Sequence, residues 1–282
     1  MALLMQLRRR LKTITTIKKI TNAMRLISMS GHARLKGKEL SVNEFSKRIE
    51  HLLYEIKCLT PEGFDPFKQI INNSAQKTLL IVVGSQKGLC GTFNTALSKV
   101  FEESYTNLNN IEIIAIGKKI VDYMHEYHIQ NVIDIFPKFS ANNLQNAVRR
   151  ITRIIANNGS EYSKIAILSN LPKSFFVQSP TITQLLPIES AHSLRCNQNE
   201  FDDYIWEQTP EHLAQTLAKL YIESTIHNML FQSLVAEQSA RFLSMDNATR
   251  NAEALFELTT LQYNKLRQAK ITKEISELIS SM

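Results

Sequence analysis

The sequence predicts an α/β protein in which the two ends of the chain pair as a long antiparallel coiled coil and an α/β domain is inserted between them. Three observations support this architecture. Apolar residues recur at steps of three or four along both ends of the chain. Short β-rich runs alternate with helical patterns in the middle. All seven prolines, and all but two of the eight glycines, lie between residues 61 and 210, so both ends are nearly free of the residues that interrupt helices.

The first element, residues 1–60, is predicted to be a long helix. It contains no proline and only Gly31 and Gly37. A cluster of prolines and glycine then opens a linker over residues 61–76. The apolar stripe of this helix consists of Leu7, Leu11, Ile14, Ile17, Ile20, Met24 and Ile27.

The second part, residues 77–195, is predicted to be an α/β domain with a mainly parallel sheet, because β-rich runs and helical patterns alternate along it. Pro180 is tolerated best at the edge of a sheet, so residues 174–187 are predicted to form an added hairpin or edge strand. A second linker, residues 196–209, follows. The other predicted strands are 78–83, 111–117, 131–136 and 164–168, and the clearest helical patterns are 93–104 and 142–157.

The last element, residues 210–282, is predicted to be a second long helix. Pro210 suits the first turn of a helix, and neither glycine nor proline occurs in the 72 residues after it. At 1.5 Å per residue a continuous helix of this length runs roughly 108 Å, far longer than a globular domain is wide. It therefore needs a partner, and the N-terminal helix is the other long one. A solvated single helix or two docked bundles stay open as alternatives, because the stripe drifts and includes polar positions.

Positive charge is concentrated at the N-terminal end. The net charge is +7, yet residues 1–48 carry twelve Lys and Arg against two Glu, or +10. Such a segment could meet nucleic acid, anionic lipid or an acidic protein surface. The first 44 residues contain no Phe, Tyr or Trp, which disfavours nucleic acid and membrane binding. We expect an acidic protein partner, with a solvated face as the alternative. The longest apolar run, residues 79–83, is far too short to span a bilayer.

The segment 84-GSQKGLCGTFN-94 follows a predicted strand and holds three glycines in eight residues, which is typical of phosphate-binding loops. Its details differ from both common motifs. In a Walker A motif the lysine follows the last glycine, whereas Lys87 precedes Gly88. A dinucleotide fingerprint needs GxGxxG, whereas this loop is GxxxGxxG. We expect a glycine-rich turn that lets the next helix pack closely or offers backbone to a partner, with no nucleotide or other cofactor.

No group of residues in the sequence has the spacing of a catalytic or metal site. His125 and His128 lie three apart on a predicted helix, but no cysteine or carboxylate cluster completes a metal site. Cys90 has no assignable base. The three cysteines are far apart and form no CxxC pair, which predicts a reduced compartment, no disulfide framework and no zinc. The chain is therefore predicted not to be an enzyme by itself.

Five ordered segments, which cover nearly the whole chain, resemble the γ subunits of F-type ATP synthases. Near the start, 18-KKITNAM-24 is similar to the KIT-x-AM signature of that family. In the middle, 88-GLCG-91 with Asn94 resembles its GLCGxxN loop, and 179-SPTITQLLP-187 matches the close of its α/β domain. Near the end, 236-AEQSARFLSMDNATRNA-252 and 261-LQYNKLRQAKITKEISEL-278 resemble its two strongest segments.

The resemblance implies the fold predicted above, with a Rossmann-like domain beside the coiled coil. In this family the coiled coil is the central rotor shaft, whose tip enters a catalytic head of α and β subunits. Its foot sits, with the ε subunit, on the membrane ring of c subunits. Ion flow turns the ring and the shaft, and catalysis belongs to the partner subunits. The alternative is the rotor of a similar ATPase that is not coupled to ion transport.

The resemblance also implies contact residues at matching positions. Met24 and Arg25 match the part of the shaft that meets the acidic lever of β, and Arg241 faces the same collar. A loop near the base of the head is matched by Gly88, Leu89, Cys90 and Gly91. A segment that contacts the catch loops of β is matched by Asn264, Arg267, Gln268 and Thr272.

One run and one single position depart from the pattern of the family. The run 26-LISMSGH-32 is bulkier than the usual small residues, and Thr92 replaces the last glycine of GLCGG. The long cysteine-bearing insertion of the chloroplast form is missing, so we expect no thiol regulation. The resemblance implies a peripheral protein on the cytoplasmic face of a bacterial membrane, without a membrane span of its own.

Overall fold

A computed structural model describes residues 2–61, 64–68, 70–72, 74–105, 109–188 and 208–280. The chain divides into two compact units, unit 1 with Met1–Gly31 and Arg241–Met282, and unit 2 with His32–Ala240. The helices are α1 (Ala2–Cys58), α2 (Phe93–Ser104), α3 (Lys118–Glu126), α4 (Leu144–Asn158) and α5 (Pro210–Ser280). The strands are β1 (Lys77–Val83), β2 (Ile111–Ile116), β3 (Val132–Phe136), β4 (Tyr162–Pro172) and β5 (Gln178–Leu186), and a short 3-10 turn, Gly159–Glu161, precedes β4.

Unit 2 contains a five-stranded sheet in the order β3-β2-β1-β4-β5. β1 is parallel to β2 and β4, β2 is parallel to β3, and β5 is antiparallel to β4. Pro180 lies in β5, opposite Asn170 of β4. The predicted mainly parallel sheet and the predicted edge strand around Pro180 are therefore confirmed.

The side chains of the central strand β1 are buried on both faces of the sheet. Residues Leu79 to Val83 are all 0 % exposed, and a continuous apolar run of this kind is typical of a strand in a parallel sheet. Leu79 and Ile81 pack with apolar residues of α1, α4 and α5, whereas Leu80 and Val82 pack with those of α2 and α3. Each fully buried aliphatic side chain contributes roughly 1.5–3 kcal/mol. The core of unit 2 is therefore double-layered, with the sheet in the middle.

The helix α3 was not among the clearest helical patterns in the sequence. It is only nine residues long and buries Ile120, Val121 and Met124. It ends at Glu126, so the predicted helix does not extend to His128, which has a positive φ of 52°. The expectation that both histidines lie on one helix is wrong, because the chain leaves the helix between them.

Within unit 1, the first part of α1 and the last part of α5 run antiparallel. From one cross-helix contact to the next, the residue number rises along α1 and falls along α5. The contacts are Lys18 Nζ to Glu253 Oε1 (2.9 Å), Thr21 Oγ1 to Thr249 Oγ1 (2.9 Å) and Arg25 Nη1 to Asp246 Oδ1 (2.7 Å). In unit 2, α1 and α5 also contact each other, since Asn228 Nδ2 lies 3.5 Å from Asn43 Oδ1. The predicted pairing of the two ends is confirmed.

The buried residues of α1 in unit 1 differ from the predicted apolar stripe. Leu7, Ile14, Thr21 and Ser28 are 8 %, 7 %, 8 % and 0 % exposed. Their spacing of seven is typical of a helix in a left-handed coiled coil. Three members of the predicted stripe, Ile17, Ile20 and Ile27, are instead 46 %, 56 % and 64 % exposed. Their predicted place in the seam is wrong, because the seam repeats every seven residues and admits two polar ones.

Candidate functional site

The glycine-rich loop leaves β1 at the carboxyl edge of the sheet and leads into α2. Side chains of the same segment bind its polar groups. The Ser85 N–H donates to Asn94 Oδ1 (3.0 Å), and Asn94 Nδ2 donates to Ser85 Oγ (2.8 Å). The Ser85 hydroxyl donates in turn to the Lys87 carbonyl (2.8 Å). Asn94 therefore occupies the place at the Ser85 N–H that a phosphate oxygen takes in a phosphate-binding loop.

The loop packs closely against the turn between β2 and α3. Gly117 has φ 92°, and a Cβ there would lie 2.3 Å from the carbonyl oxygen of Gly84. Only glycine permits both this φ and this approach. The Lys119 N–H also donates to the Ser85 carbonyl (3.1 Å). The first turn of the loop is therefore fixed by the neighbouring backbone.

The loop lies at the position where an α/β sheet usually binds its ligand. The strand order reverses across β1, between β2 and β4, and the crevice at such a switch point is the common ligand site. Here Asn170, at the end of β4, donates to the Phe93 carbonyl across the crevice (3.0 Å). Cys90 and Phe93 are 3 % and 4 % exposed and pack against Ala236 and Ala240 of α5. The chain fills its own crevice, so the geometry favours a packed joint between loop and helix.

The cysteines differ in state. Cys90 is buried, with its Sγ 3.2 Å from the Lys87 carbonyl oxygen. Cys58, at the end of α1, is disulfide-bonded, so the prediction of a chain without disulfides is wrong there. Separation along the sequence says little about separation in space, which is why the spacing misled. Cys196 lies outside the described residues. Over the described ranges, no group of three His, Cys, Asp or Glu side chains could hold a metal ion.

The outward surface of unit 1 carries many large apolar side chains. Ile20 and Leu26 of α1 are 56 % and 58 % exposed, and Leu261 of α5 is 67 % exposed. Apolar exposure along two helices is unusual for a chain that stands alone and marks a surface for partner proteins. The other exposed apolar residues of unit 1 are Leu3, Met5, Ile17, Ile27, Met29, Leu255, Phe256, Leu258, Ile271, Ile275, Leu278 and Ile279.

Three of the predicted contact residues lie where α1 and α5 pair. Met24 and Arg25 are half-buried on α1, whereas Arg241 of α5 is only 4 % exposed. Arg25 donates to Asp246 Oδ1 (2.7 Å) and to Asn22 Oδ1 (2.9 Å). Its guanidinium is therefore already engaged within unit 1.

Asp246 was not singled out from the sequence, yet it pairs with two arginines in unit 1. Arg250 Nη2 lies 3.0 Å from Asp246 Oδ2, so each carboxylate oxygen has an arginine partner. The hydrogen bond from Arg25, together with the charges of both arginines, outweighs desolvation and holds the pKa of Asp246 below its usual range.

The other predicted contact residues fall into two separate sets. Arg267, Gln268 and Thr272 are exposed on the last turns of α5, and Asn264 is half-buried there. The glycine-loop set belongs to unit 2, where Leu89 is 59 % exposed and Cys90 is buried. No helix among the described residues is long and apolar enough to cross a membrane.

Comparison with known proteins identifies the family. A family model described as ATP synthase matches residues 3–282. The ATP synthase gamma chain of Rickettsia felis is 34 % identical over 288 residues, which cover 99 % of this chain and 98 % of that one. The chain belongs to the ATP synthase gamma chain family. The gamma chain of Trichlorobacter lovleyi is 30 % identical over 287 residues, with 99 % and 98 % covered. As a gamma chain, the protein is a subunit of ATP synthase and not an independent enzyme.

Solved structures of the rotor and central stalk of ATP synthases have the same fold. The rotor of the Euglena gracilis mitochondrial ATP synthase gives a TM-score of 0.66 at 18 % identity, with 96 % of this chain and 99 % of that one covered. The central stalk and c-ring structure of Tetrahymena thermophila gives a TM-score of 0.58 at 19 % identity, with 81 % and 99 % covered. The predicted fold, a mixed α/β sheet with long terminal helices, is confirmed by these likenesses.

Proposed function

We propose that this gamma chain is the rotating central stalk of its ATP synthase and couples ion flow through a membrane c-ring to ATP synthesis and hydrolysis in the head. The observation that carries this proposal is the surface of unit 1. Its two helices bury residues against each other along one narrow seam, and many of their large apolar side chains are exposed on the outside. A surface of this kind suits a shaft that is enclosed by partner subunits rather than by water.

The α and β subunits of the catalytic head are the proposed partners of unit 1. Exposed cations, among them Arg8, Lys12 and Lys19, lie between the outward apolar residues. Charge complementarity then favours an acidic partner surface, such as the lever of β. We place Met24 at this contact. Arg25 and Lys18 are held by Asp246 and Glu253, so Lys19 is the exposed cation of that segment.

The last turns of α5 are the proposed contact with the catch loops of β. Arg267, Gln268 and Thr272 are exposed there and can meet a partner directly. Residues 271–280 of α5 are all exposed, which supports a tip that is covered by other subunits in the complex. Arg241, which is buried, would act at the collar by supporting the surface from within.

The mechanism follows from asymmetry. Three β sites of identical sequence meet different faces of the shaft at any one angle, so each site has a different contact free energy with it. A difference in contact free energy becomes a difference in nucleotide affinity, and linkage makes the effect reciprocal. Rotation driven by ions therefore changes affinity at each site in turn, and hydrolysis drives the shaft backward.

Unit 2 and the foot of the stalk are proposed to bind the ε subunit and the c-ring, as a peripheral subunit on the cytoplasmic face of a bacterial membrane. The structures that it resembles contain a c-ring with the central stalk, and both bacterial relatives support a bacterial setting.

Purification of the complex from its membrane tests this proposal. The chain is tagged and the complex is extracted in mild detergent, and we expect α, β, ε and c subunits to co-purify with it. A chain with residues 264–282 removed serves as a control, because it keeps unit 2 and the proposed foot. Recovery of head subunits without any c subunit would favour a rotor that is not coupled to ion transport.

A further inference from the structure

The seam of unit 1 is polar at several positions where coiled coils are usually apolar. Thr21 and Ser28 of α1 and Thr249 of α5 are 8 %, 0 % and 5 % exposed. The hydroxyl oxygens of Thr21 and Thr249 lie 2.9 Å apart, and Ser28 donates to the Met24 carbonyl (2.8 Å). Apolar contacts are non-directional, so an all-aliphatic seam tolerates sliding of one helix along the other. Polar seam positions instead specify one register at some cost in stability.

One turn from the Thr21–Thr249 contact, a charged cluster joins the same two helices. Arg25 crosses from α1 to Asp246 of α5 at 2.7 Å, and Arg250 binds the other carboxylate oxygen at 3.0 Å. Asn22, on the preceding turn of α1, accepts from the second terminal nitrogen of Arg25 at 2.9 Å. The planar guanidinium is thus held at two nitrogens and the carboxylate at both oxygens, which fixes their orientation as well as their separation.

The neighbouring cross-helix pair is a natural control. Lys18 and Glu253 are 2.9 Å apart, but their side chains are 43 % and 48 % exposed, against 32 % and 16 % for Arg25 and Asp246. An exposed Lys–Glu pair has little directionality and is screened by solvent. The two pairs lie two turns apart on the same helices, and they differ in residue type, burial and geometry.

We propose that Arg25 and Asp246 form a register lock, which prevents α1 and α5 from sliding along each other when the pair carries torque. A shift of one helix along the other by a single residue would be about 1.5 Å. A shift of that size breaks the Arg25–Asp246 bond and separates the Thr21 and Thr249 hydroxyls. The two residues are positioning residues. Their importance for torque rests on the proposed rotor function, whereas the lock itself is a property of the chain alone.

Hydrogen exchange of the full-length chain tests the lock without any partner. We expect Arg25→Gln and Asp246→Asn each to accelerate exchange of amides 242–253 by about 5- to 10-fold, because the cross-helix bond is lost. The double variant should exchange no faster than Asp246→Asn alone, since that change already removes the Arg25–Asp246 bond. In the matched cycle, Lys18→Gln and Glu253→Gln should each change exchange by less than about 2-fold. Additive losses at Arg25 and Asp246, or equal effects in the two cycles, would overturn the lock.

Charge exchange separates the lock from a general need for either residue. Arg25→Glu and Asp246→Arg should each accelerate exchange at least as much as the neutral variants. The combined variant should exchange more slowly than Asp246→Arg alone, because both chains carry the same repulsion from Arg250 and only the combined one regains a cross-helix pair. Exchange as fast as in Asp246→Arg, in a folded chain, would contradict the lock. If the combined chain does not fold, the neutral cycle alone decides the outcome.

The assembled complex tests the role in torque. In membrane vesicles, Asp246→Asn should lower the number of ions pumped per ATP hydrolysed by about 2-fold or more, while ATP hydrolysis per assembled complex is retained. A merely structural defect would lower both in proportion to the amount of complex. An unchanged ratio together with accelerated exchange would overturn the torque role. Failure of the unsubstituted chain to assemble would contradict the proposed function instead, and the exchange result would stand.

Discussion

Gly117 and Gly37 show how differently two glycines constrain this chain. Gly117 has φ 92° and its Cβ position lies 2.3 Å from the Gly84 carbonyl, whereas nothing lies within 4 Å of the Cβ position of Gly37 inside α1. We expect Gly117→Ala to destabilise the chain by about 3 kcal/mol, through strain and a backbone clash. Gly37→Ala should stabilise it by roughly 0.5–1 kcal/mol, because alanine loses less backbone entropy in a helix.

Chemical unfolding of the full-length variants measures both changes. A Gly117→Ala chain as stable as the unsubstituted one would show that the turn after β2 adapts without strain, and the fixed position of the glycine loop would then be wrong.

A cluster of hydrogen-bonded side chains lies at the amino ends of the strands, opposite the glycine-rich loop. Glu112 of β2 accepts from Lys77 Nζ (2.8 Å) and from the Tyr162 hydroxyl (2.5 Å). Partial burial acts to raise the pKa of Glu112, but the two hydrogen bonds and the charge of Lys77 outweigh it and hold that pKa below its usual range. Burial and the same hydrogen bond raise the pKa of Tyr162.

This cluster makes stability depend on acid pH. The pKa of Glu112 is lower in the folded than in the unfolded state. Its contribution to the free energy of unfolding is therefore fully present above the unfolded pKa of about 4.3. It is lost as the pH falls through the lowered folded value. We expect Glu112→Gln to be destabilising at pH 7 and to flatten the fall in unfolding free energy between pH 5 and the acid limit. Glu103→Gln, next to Lys99 at 3.7 Å on an exposed helix face, is the control. Equal pH profiles for the two variants would refute the role of Glu112.

The tip residues carry a prediction about activity. Arg267 and Gln268 are exposed, so replacing both by Ala should change the stability of the isolated chain by less than about 0.5 kcal/mol. In the complex, loss of the proposed catch-loop contacts should lower ATP synthesis by about 3- to 10-fold. Lys265→Ala, on the same turn, is the matched control and should have a smaller effect. Undiminished synthesis by the double variant would remove these residues from the proposed contact.

At the scale of elements, the sequence predicted the sheet better than it predicted the helix seam. The apolar runs of β1 and β4 could be recognised because strands buried on both faces have no competing pattern. Pro180 identified the edge strand because it removes a hydrogen-bond donor. The helix that contains His125 was predicted, but its end was not, because nine residues offer only two turns of periodicity.

The contact surface itself could be predicted only in part. Periodicity shows that Ile17, Ile20 and Ile27 of α1 face one side, but it does not tell whether that side meets α5 or another protein. The seam in the structure includes Thr21 and Ser28, which a search for periodic apolar residues does not identify. Asp246 was missed because its importance comes from Arg25, 221 residues away, and only the register of the two helices brings them together.

Truncation of α5 tests the separation between its end and the α/β core. We expect removal of residues 264–282 to leave unit 2 folded, because its core residues all lie within His32–Ala240. The complex should lose coupling between hydrolysis and ion pumping. Circular dichroism and hydrogen exchange of the strands measure the first expectation, and vesicle assays measure the second. Unchanged torque and synthesis would contradict the roles proposed for the end of α5.

In the whole molecule, two features that resemble parts of an enzyme have structural roles. They are the crevice at the switch point and the charged cluster around Asp246. The switch-point crevice is filled by Cys90, Phe93 and Asn170, and the charged cluster around Asp246 joins two helices. We therefore expect the isolated chain to bind ATP no better than millimolar concentrations, by isothermal titration, with Lys87→Ala as the control. Micromolar binding that is lost in Lys87→Ala would contradict the assignment of the loop as a packed joint.

We propose that this chain turns within the head and that its angle governs the three catalytic sites. Single-molecule observation tests this rotation, with the α and β subunits fixed to a surface and a probe attached to unit 2 of the assembled chain. With ATP present, we predict rotation in one direction with three equal steps per turn. ATP hydrolysis by the same immobilised complexes, with no rotation of the probe, would contradict the claim.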